Sequence, residues 1–196
     1  MPSVEPSFRG FPCFYPATQV DWESWLKNNH RTHQSVWLIL YKINSGKPTI
    51  TFGEALDTAL CYGWIDSRKN NRNSESYYLY FAARNPKSNW SRINKEKIAK
   101  LDAAGRLTSV AYEMIAMAKK SGTWNALDEV ENLIVRIDLQ EAFDQYDQSK
   151  ANWDNFPRNV KRAQLEWIFL AKRTITRQKR IKEVVSQAQQ NKRANK

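Results

Sequence analysis

Thr51–Ser67 reads TFGEALDTALCYGWIDS, and its punctuation organises the chain around it. Thr51 with Glu54 three residues on is a capping box, in which hydroxyl and carboxylate each satisfy an orphan backbone N–H at a helix start. Ala55, Leu56, Ala59 and Leu60 fall on one apolar stripe of 3.6-residue period. Gly63 can take the left-handed conformation that ends a helix. The expected helix therefore delivers Trp64-Ile65-Asp66-Ser67 at its far end, where Asp66 can face a cleft. The plainer alternative is that Asp66 caps a turn or pairs with a nearby arginine.

Upstream, Thr18 with Asp21 suits the start of a short helix, and Trp22, Trp25 and Leu26 make its apolar face. Val36–Tyr41, VWLILY, is continuously apolar and rich in β formers, so it should be a strand buried on both faces. Downstream, residues 66–75 read as a polar loop. Ser76–Ala83 reads as a strand, with Tyr77, Leu79 and Phe81 on one face and Tyr78, Tyr80 and Ala82 on the other. A helix capped by Ser88 or Ser91 should run to Gly105, and another from Thr108 or Ser109 to Gly122. Residues 123–137 lack a clear period and read as a connector, with an extended piece over 133–137. Phe143 and Tyr146 are the expected anchors of the helical region beyond.

The chain has 196 residues, enough to bury a real core, and eight Trp in a 41% hydrophobic composition mark it as globular. The start, MPSVEPSFRGFPCFYP, lacks the basic-then-apolar pattern of a secretory leader, and no run has the length of a membrane span. Cys13 and Cys61 are far apart and form no CxxC pair, which fits a reducing cytoplasm. The formal net charge of +11 is unevenly spread. Residues 158–196 carry 12 Lys and Arg against 2 Glu, and residues 128–147 carry 7 acids against one Arg. Such a tail favours polyanions, meaning nucleic acid, anionic lipid or acidic proteins, unless its charge pairs with the acidic segment or simply solvates a helical surface.

On a helical wheel, Val160, Ala163, Trp167 and Ala171 share one arc, while Lys161, Arg162, Glu166, Lys172 and Arg173 lie opposite. Leu165 and Phe169 then fall among the charges, the pattern of an exposed contact surface. A last helix should bury Ile181, Val184, Val185 and Ala188 and turn Lys179 and Lys182 outward. Lys161, Arg162, Phe169, Lys172, Arg173, Lys179 and Lys182 are the candidate contacts for a polyanion or protein partner. Arg177 falls in the apolar arc of that last helix, where an unpaired guanidinium would be costly. It should meet an acid, either Asp66 or one of the 138–147 group.

His30 and His33 have no ligand partners close in sequence, so no metal site is expected, and no phosphate loop, dinucleotide fingerprint, HExxH or GxSxG occurs. No cofactor is implied. What remains is a polar and aromatic group: Trp64, Asp66, Arg84, Ser88, Trp90, Ser91 and Asn94. Serines at a helix start with an arginine nearby can form an anion site, with Asp66 as a base and Arg84 as a clamp on a small anionic ligand. Helix capping and aromatic packing account for the same serines and Trp90 without any ligand.

Several of these motifs resemble the YdeI/OmpD-associated (bacteriocin-protection) family. They include VWL at 36–38, EALDTALCYGWIDS at 54–67, RNP at 84–86, SxWSxxN at 88–94, GRL at 105–107, WIFLAK at 167–172 and TRQKRI at 176–181. Ser67 departs from the family's usual Gly, and Leu107 from its usual Met. The resemblance implies an α+β fold, an antiparallel sheet packed by helices as in the YjbR/CyaY-like superfamily, with a basic all-helical C-terminal extension. It implies an α+β domain over 1–124, a connector over 125–137 and the helical region over 138–196. It further implies a cytoplasmic bacterial accessory protein of stress or bacteriocin protection, and it carries no reaction, cofactor or catalytic residue.

Overall fold

The structure is a computed structural model and describes residues 7–193. The fold is α+β, a five-stranded, mostly antiparallel sheet with helices, followed by a helical C-terminal region. Two compact units follow one another, residues 1–124 and 125–196.

The first unit opens with β1 (Ser7–Phe8) and β2 (Phe11–Phe14). Helix α1 (Gln19–Asn29) starts at a complete Thr18–Asp21 capping box. Then come β3 (Ser35–Tyr41), α2 (Phe52–Cys61), β4 (Trp64–Asn71) and β5 (Ser76–Ala83). Helices α3 (Arg92–Ala103) and α4 (Ser109–Ser121) complete it. The sheet order is β1-β2-β3-β5-β4, and only β2 and β3 are parallel, as their α1 crossover requires.

All seven residues of β3 are buried because both faces of the sheet are covered. Val36, Leu38 and Leu40 join Leu79, Phe81, Trp22, Leu26, Leu56 and Leu60 in the main core. Trp37, Ile39, Tyr41 and Tyr78 form a second cluster on the opposite face. Phe8 closes over it, stacked 4.1 Å from the ring of Tyr78.

Residues 64–71 correct the expected loop: they are a strand. β4 is the last strand of the sheet, where polar side chains suit an edge left open to water. Its composition hid its pairing.

The second unit packs α5 (Asp128–Glu131), α6 (Ile137–Asp144), α7 (Ser149–Asp154), α8 (Arg158–Phe169) and α9 (Thr174–Gln189) around its own core. No extended piece forms over 133–137, where Leu133 takes φ +57° and α6 begins at Ile137. Phe143 is buried as expected, whereas Tyr146 is half-exposed.

Along α9 the stripe Ile181, Val184, Val185 and Ala188 is buried as the periodicity predicts. Along α8 the buried residues are Gln164, Leu165 and Ile168, about a quarter turn from the expected face. Leu165 is only 6% exposed, and Phe169 is half-buried against the same core. The reason is Gln164, which enters the core because its Oε1 accepts a 2.9 Å hydrogen bond from Trp153 Nε1. The expected exposed apolar pair on α8 does not exist.

Candidate functional site

The start of α2 is a complete capping box: Thr51 N donates to Glu54 Oε2 at 2.7 Å, and Glu54 N donates to Thr51 Oγ1 at 3.2 Å. The Thr51 N–H and hydroxyl, both donating to Glu54 Oε2, hold the Glu54 carboxyl below its usual range. At the other end Gly63 sits at φ +71°, and an added Cβ would lie 3.3 Å from Met114 Cγ and 3.4 Å from Val110 Cγ1. Both the backbone conformation and the closeness of α4 therefore demand glycine. Trp64 follows it into the core, giving its indole N–H to His30 O at 3.3 Å and its edge to Trp25. Trp64 is a packing residue.

Asp66 lines a cleft of about 310 Å³ with Phe52, Ser67, Arg68, Lys69, Tyr77 and Leu79. The carboxylate is half-buried, and its desolvation pushes the pKa up, opposed only by a hydrogen bond from its own backbone. Lys69 Nζ lies 4.1 Å from the centre of the Tyr77 ring. Of the expected polar group, Asp66 is the one member that lines this cleft.

Arg84 lies elsewhere. It is 5% exposed, stacks its guanidinium 3.8 Å above the Trp90 ring, and donates from Nη2 to Asn89 O at 2.6 Å. Its Nε has no hydrogen-bond partner, and burial pulls its pKa down to about 10. Ser91 caps α3 by accepting from Asn94 N at 3.3 Å, and Ser88 donates to Asn85 O at 2.7 Å. Trp90 packs against Trp124 at 4.9 Å. Capping and aromatic packing thus occupy Ser88, Trp90 and Ser91.

In the second unit five cations of the basic tail are already engaged. Arg177 holds Asp138 through two bonds, Nε to Oδ2 at 2.6 Å and Nη2 to Oδ1 at 2.9 Å. That settles its partner in favour of the 138–147 group and against Asp66. The guanidinium keeps the Asp138 carboxyl below its usual range. Arg162 pairs with Glu131 at 2.8 Å and with Glu166 at 3.2 Å. Lys161 donates to Asp154 O at 2.8 Å and sits over Trp153. Arg158 donates to Glu131 O, and Arg180 donates to Trp167 O. Lys172, Arg173, Lys179 and Lys182 remain exposed, with no ion pair among the described residues.

A family model described as a domain of unknown function (DUF8412) matches residues 14–114, just over half of the chain. The chain belongs to that family. A second model, described as "Bacteriocin-protection, YdeI or OmpD-Associated", matches residues 132–191. The YdeI/OmpD-associated resemblance is therefore shown for the helical C-terminal region. No curated protein and no solved structure matches the chain significantly.

In this DUF8412 chain, sequence reasoning missed Phe52, Lys69 and Tyr77 as companions of Asp66. Tyr77 and Lys69 come together only through strand pairing, which spacing does not reveal. It also missed the groove between α6 and α9, about 590 Å³, whose lining includes Asp138, Glu141, Tyr146, Arg177, Ile181 and Lys182. The alternation of acids on one helix with bases on the other was the available signal. No helix among the described residues is long and apolar enough to cross a membrane.

Proposed function

We propose that this chain is a cytoplasmic accessory binding protein of the bacteriocin- or stress-protection kind, and that its C-terminal helical unit grips nucleic acid. One observation carries the reading. After internal pairing has absorbed Arg162 and Arg177, the quartet Lys172, Arg173, Lys179 and Lys182 stays exposed within a span from the end of α8 into α9. Four cations without carboxylate partners, two in the link between α8 and α9 and two on α9, are suited to a phosphate backbone. The family match over 132–191 supports the protection role. The helix-packed antiparallel strands of the first unit support placing it with the YjbR/CyaY-like superfamily.

The test is fluorescence anisotropy of labelled DNA and RNA against the full chain across a salt series. Four phosphate contacts predict a slope of log affinity against log salt of about −3 to −4. Replacing Lys172, Arg173, Lys179 and Lys182 together by Gln should flatten that slope and weaken binding. No binding at low salt, or an unchanged slope in the quadruple variant, would overturn the reading. Capture of an acidic protein without nucleic-acid binding would do the same.

A further inference from the structure

The pairing of β4 with β5 contains one irregularity. Asp66 lies opposite Phe81 and Arg68 lies opposite Tyr80, so Ser67 is an extra residue with no opposite number. In an unbroken strand Asp66, Arg68 and Asn70 would share a face, because side chains alternate. The bulge shifts that alternation. Lys69 now pairs with Leu79, on the Phe81 side of the sheet, and joins Asp66 there, while Arg68 and Asn70 pair with Tyr80 and Tyr78 on the other side.

Opposite charges are thereby delivered to one cleft, yet Asp66 and Lys69 form no ion pair with each other. The Lys69 ammonium is held instead over the Tyr77 ring. No hydrogen bond or ion pair from another described residue reaches the Asp66 carboxylate, which leaves its acceptor capacity open toward the cleft. Ser67 and the apolar side chains of Phe52, Tyr77 and Leu79 line the same cleft. At about 310 Å³ the cleft stands at the small end of ligand sites, which run from roughly 300 to 1,000 Å³.

We infer that this cleft binds a small zwitterion, a free α-amino acid, whose ammonium meets Asp66 and whose carboxylate meets Lys69 and Ser67. A purely cationic ligand would face Lys69, and a purely anionic one would face Asp66; only a molecule carrying both signs satisfies both. The exposed ring of Phe52 and the side chain of Leu79 favour an apolar amino-acid side chain, leucine or phenylalanine, over a polar one. The site is confined to the first unit and stands independently of nucleic-acid binding by the second.

The experiment is a titration of the full isotope-labelled chain followed by NMR, using leucine, phenylalanine and the other encoded amino acids one at a time. Leucine or phenylalanine should produce saturable shifts at residues 66–69 and 77. Leucinamide lacks the carboxylate and N-acetyl-leucine lacks the ammonium, and each should bind at least about tenfold more weakly, a loss of roughly 1.4 kcal/mol. Asp66→Asn and Lys69→Met should each weaken leucine to a similar extent while leaving the dispersed spectrum of the rest of the unit in place. The inference is overturned if no amino acid gives saturable shifts, or if the amide and the N-acetyl compound bind as well as the parent. Because those analogues alter the ligand alone, that readout survives even if a variant misfolds.

Discussion

Arg177 grips Asp138 bidentately across α9 and α6, with both carboxylate oxygens engaged at 2.6 and 2.9 Å. The pair is partly exposed, so its worth is that of a well-aligned surface bridge, about 1 kcal/mol or less. Asp138→Asn should lower the stability of the helical unit by that amount at neutral pH. The sign in acid follows from the lowered pKa of the folded carboxyl: the contribution is complete above the unfolded value near 4 and fades as pH falls through the folded one. Urea unfolding of wild type and Asp138→Asn should therefore differ at pH 7 and converge toward pH 2. Curves that stay parallel would refute the assignment.

Arg84 and Trp90 make a different kind of contact, in which a nearly buried cation rests on an aromatic face with no carboxylate among the described residues. The planar guanidinium stacks on Trp90 and reaches Asn89 O together, which a lysine ammonium cannot reproduce. Arg84→Lys should cost about 2 kcal/mol, combining a lost charged hydrogen bond with poorer stacking. Thermal unfolding followed by tryptophan fluorescence would measure it. A loss indistinguishable from zero would mean the stacked geometry carries no stability.

Local signals were legible wherever the residues concerned lie within a few positions of one another. Thr18 with Asp21 and Thr51 with Glu54 formed the two capping boxes, Gly63 and Gly122 took positive φ, and Ser76–Ala83 paired as a strand. Two of the misreadings share a cause, polar residues whose partners are distant. Gln164, which has no place in the apolar arc of α8, is buried because Trp153 supplies its hydrogen bond, and that turns the helix. β4 looked like a loop because its polar side chains stabilise an edge, and the Ser67 bulge that places Lys69 beside Asp66 has no signature in spacing. The candidate site was thus legible as Asp66 and illegible as a set.

Gly63 faces Met114 and Val110 of α4, where an added methyl group would be tight at 3.3 and 3.4 Å, in a conformation that suits glycine. Gly63→Ala should cost about 1–3 kcal/mol, from backbone strain together with displacement of Met114. Trimming the obstacle separates the two causes. In a double-mutant cycle Met114→Ala should recover the steric part of the Gly63→Ala cost and leave the conformational part. Strict additivity of the two variants would show that α4 does not press on this turn.

Asp66 carries a raised pKa because the fold removes water from its carboxylate without supplying a cation. A carboxyl whose folded pKa lies above its unfolded value binds its proton more tightly when folded. Ionisation therefore opposes folding, and the penalty is fully present above the folded pKa and relieved as pH falls below the unfolded value near 4. Asp66→Asn keeps the shape and removes the charge, so it should raise the urea midpoint modestly at pH 7, with the gain shrinking toward pH 3. A neutral amide more stable than the native acid, at the position where the same change weakens leucine binding, is the signature of a residue retained for what it binds. If Asp66→Asn is instead destabilising at neutral pH, the carboxylate is a strut, and the cleft beside Ser67 loses its argument for a ligand.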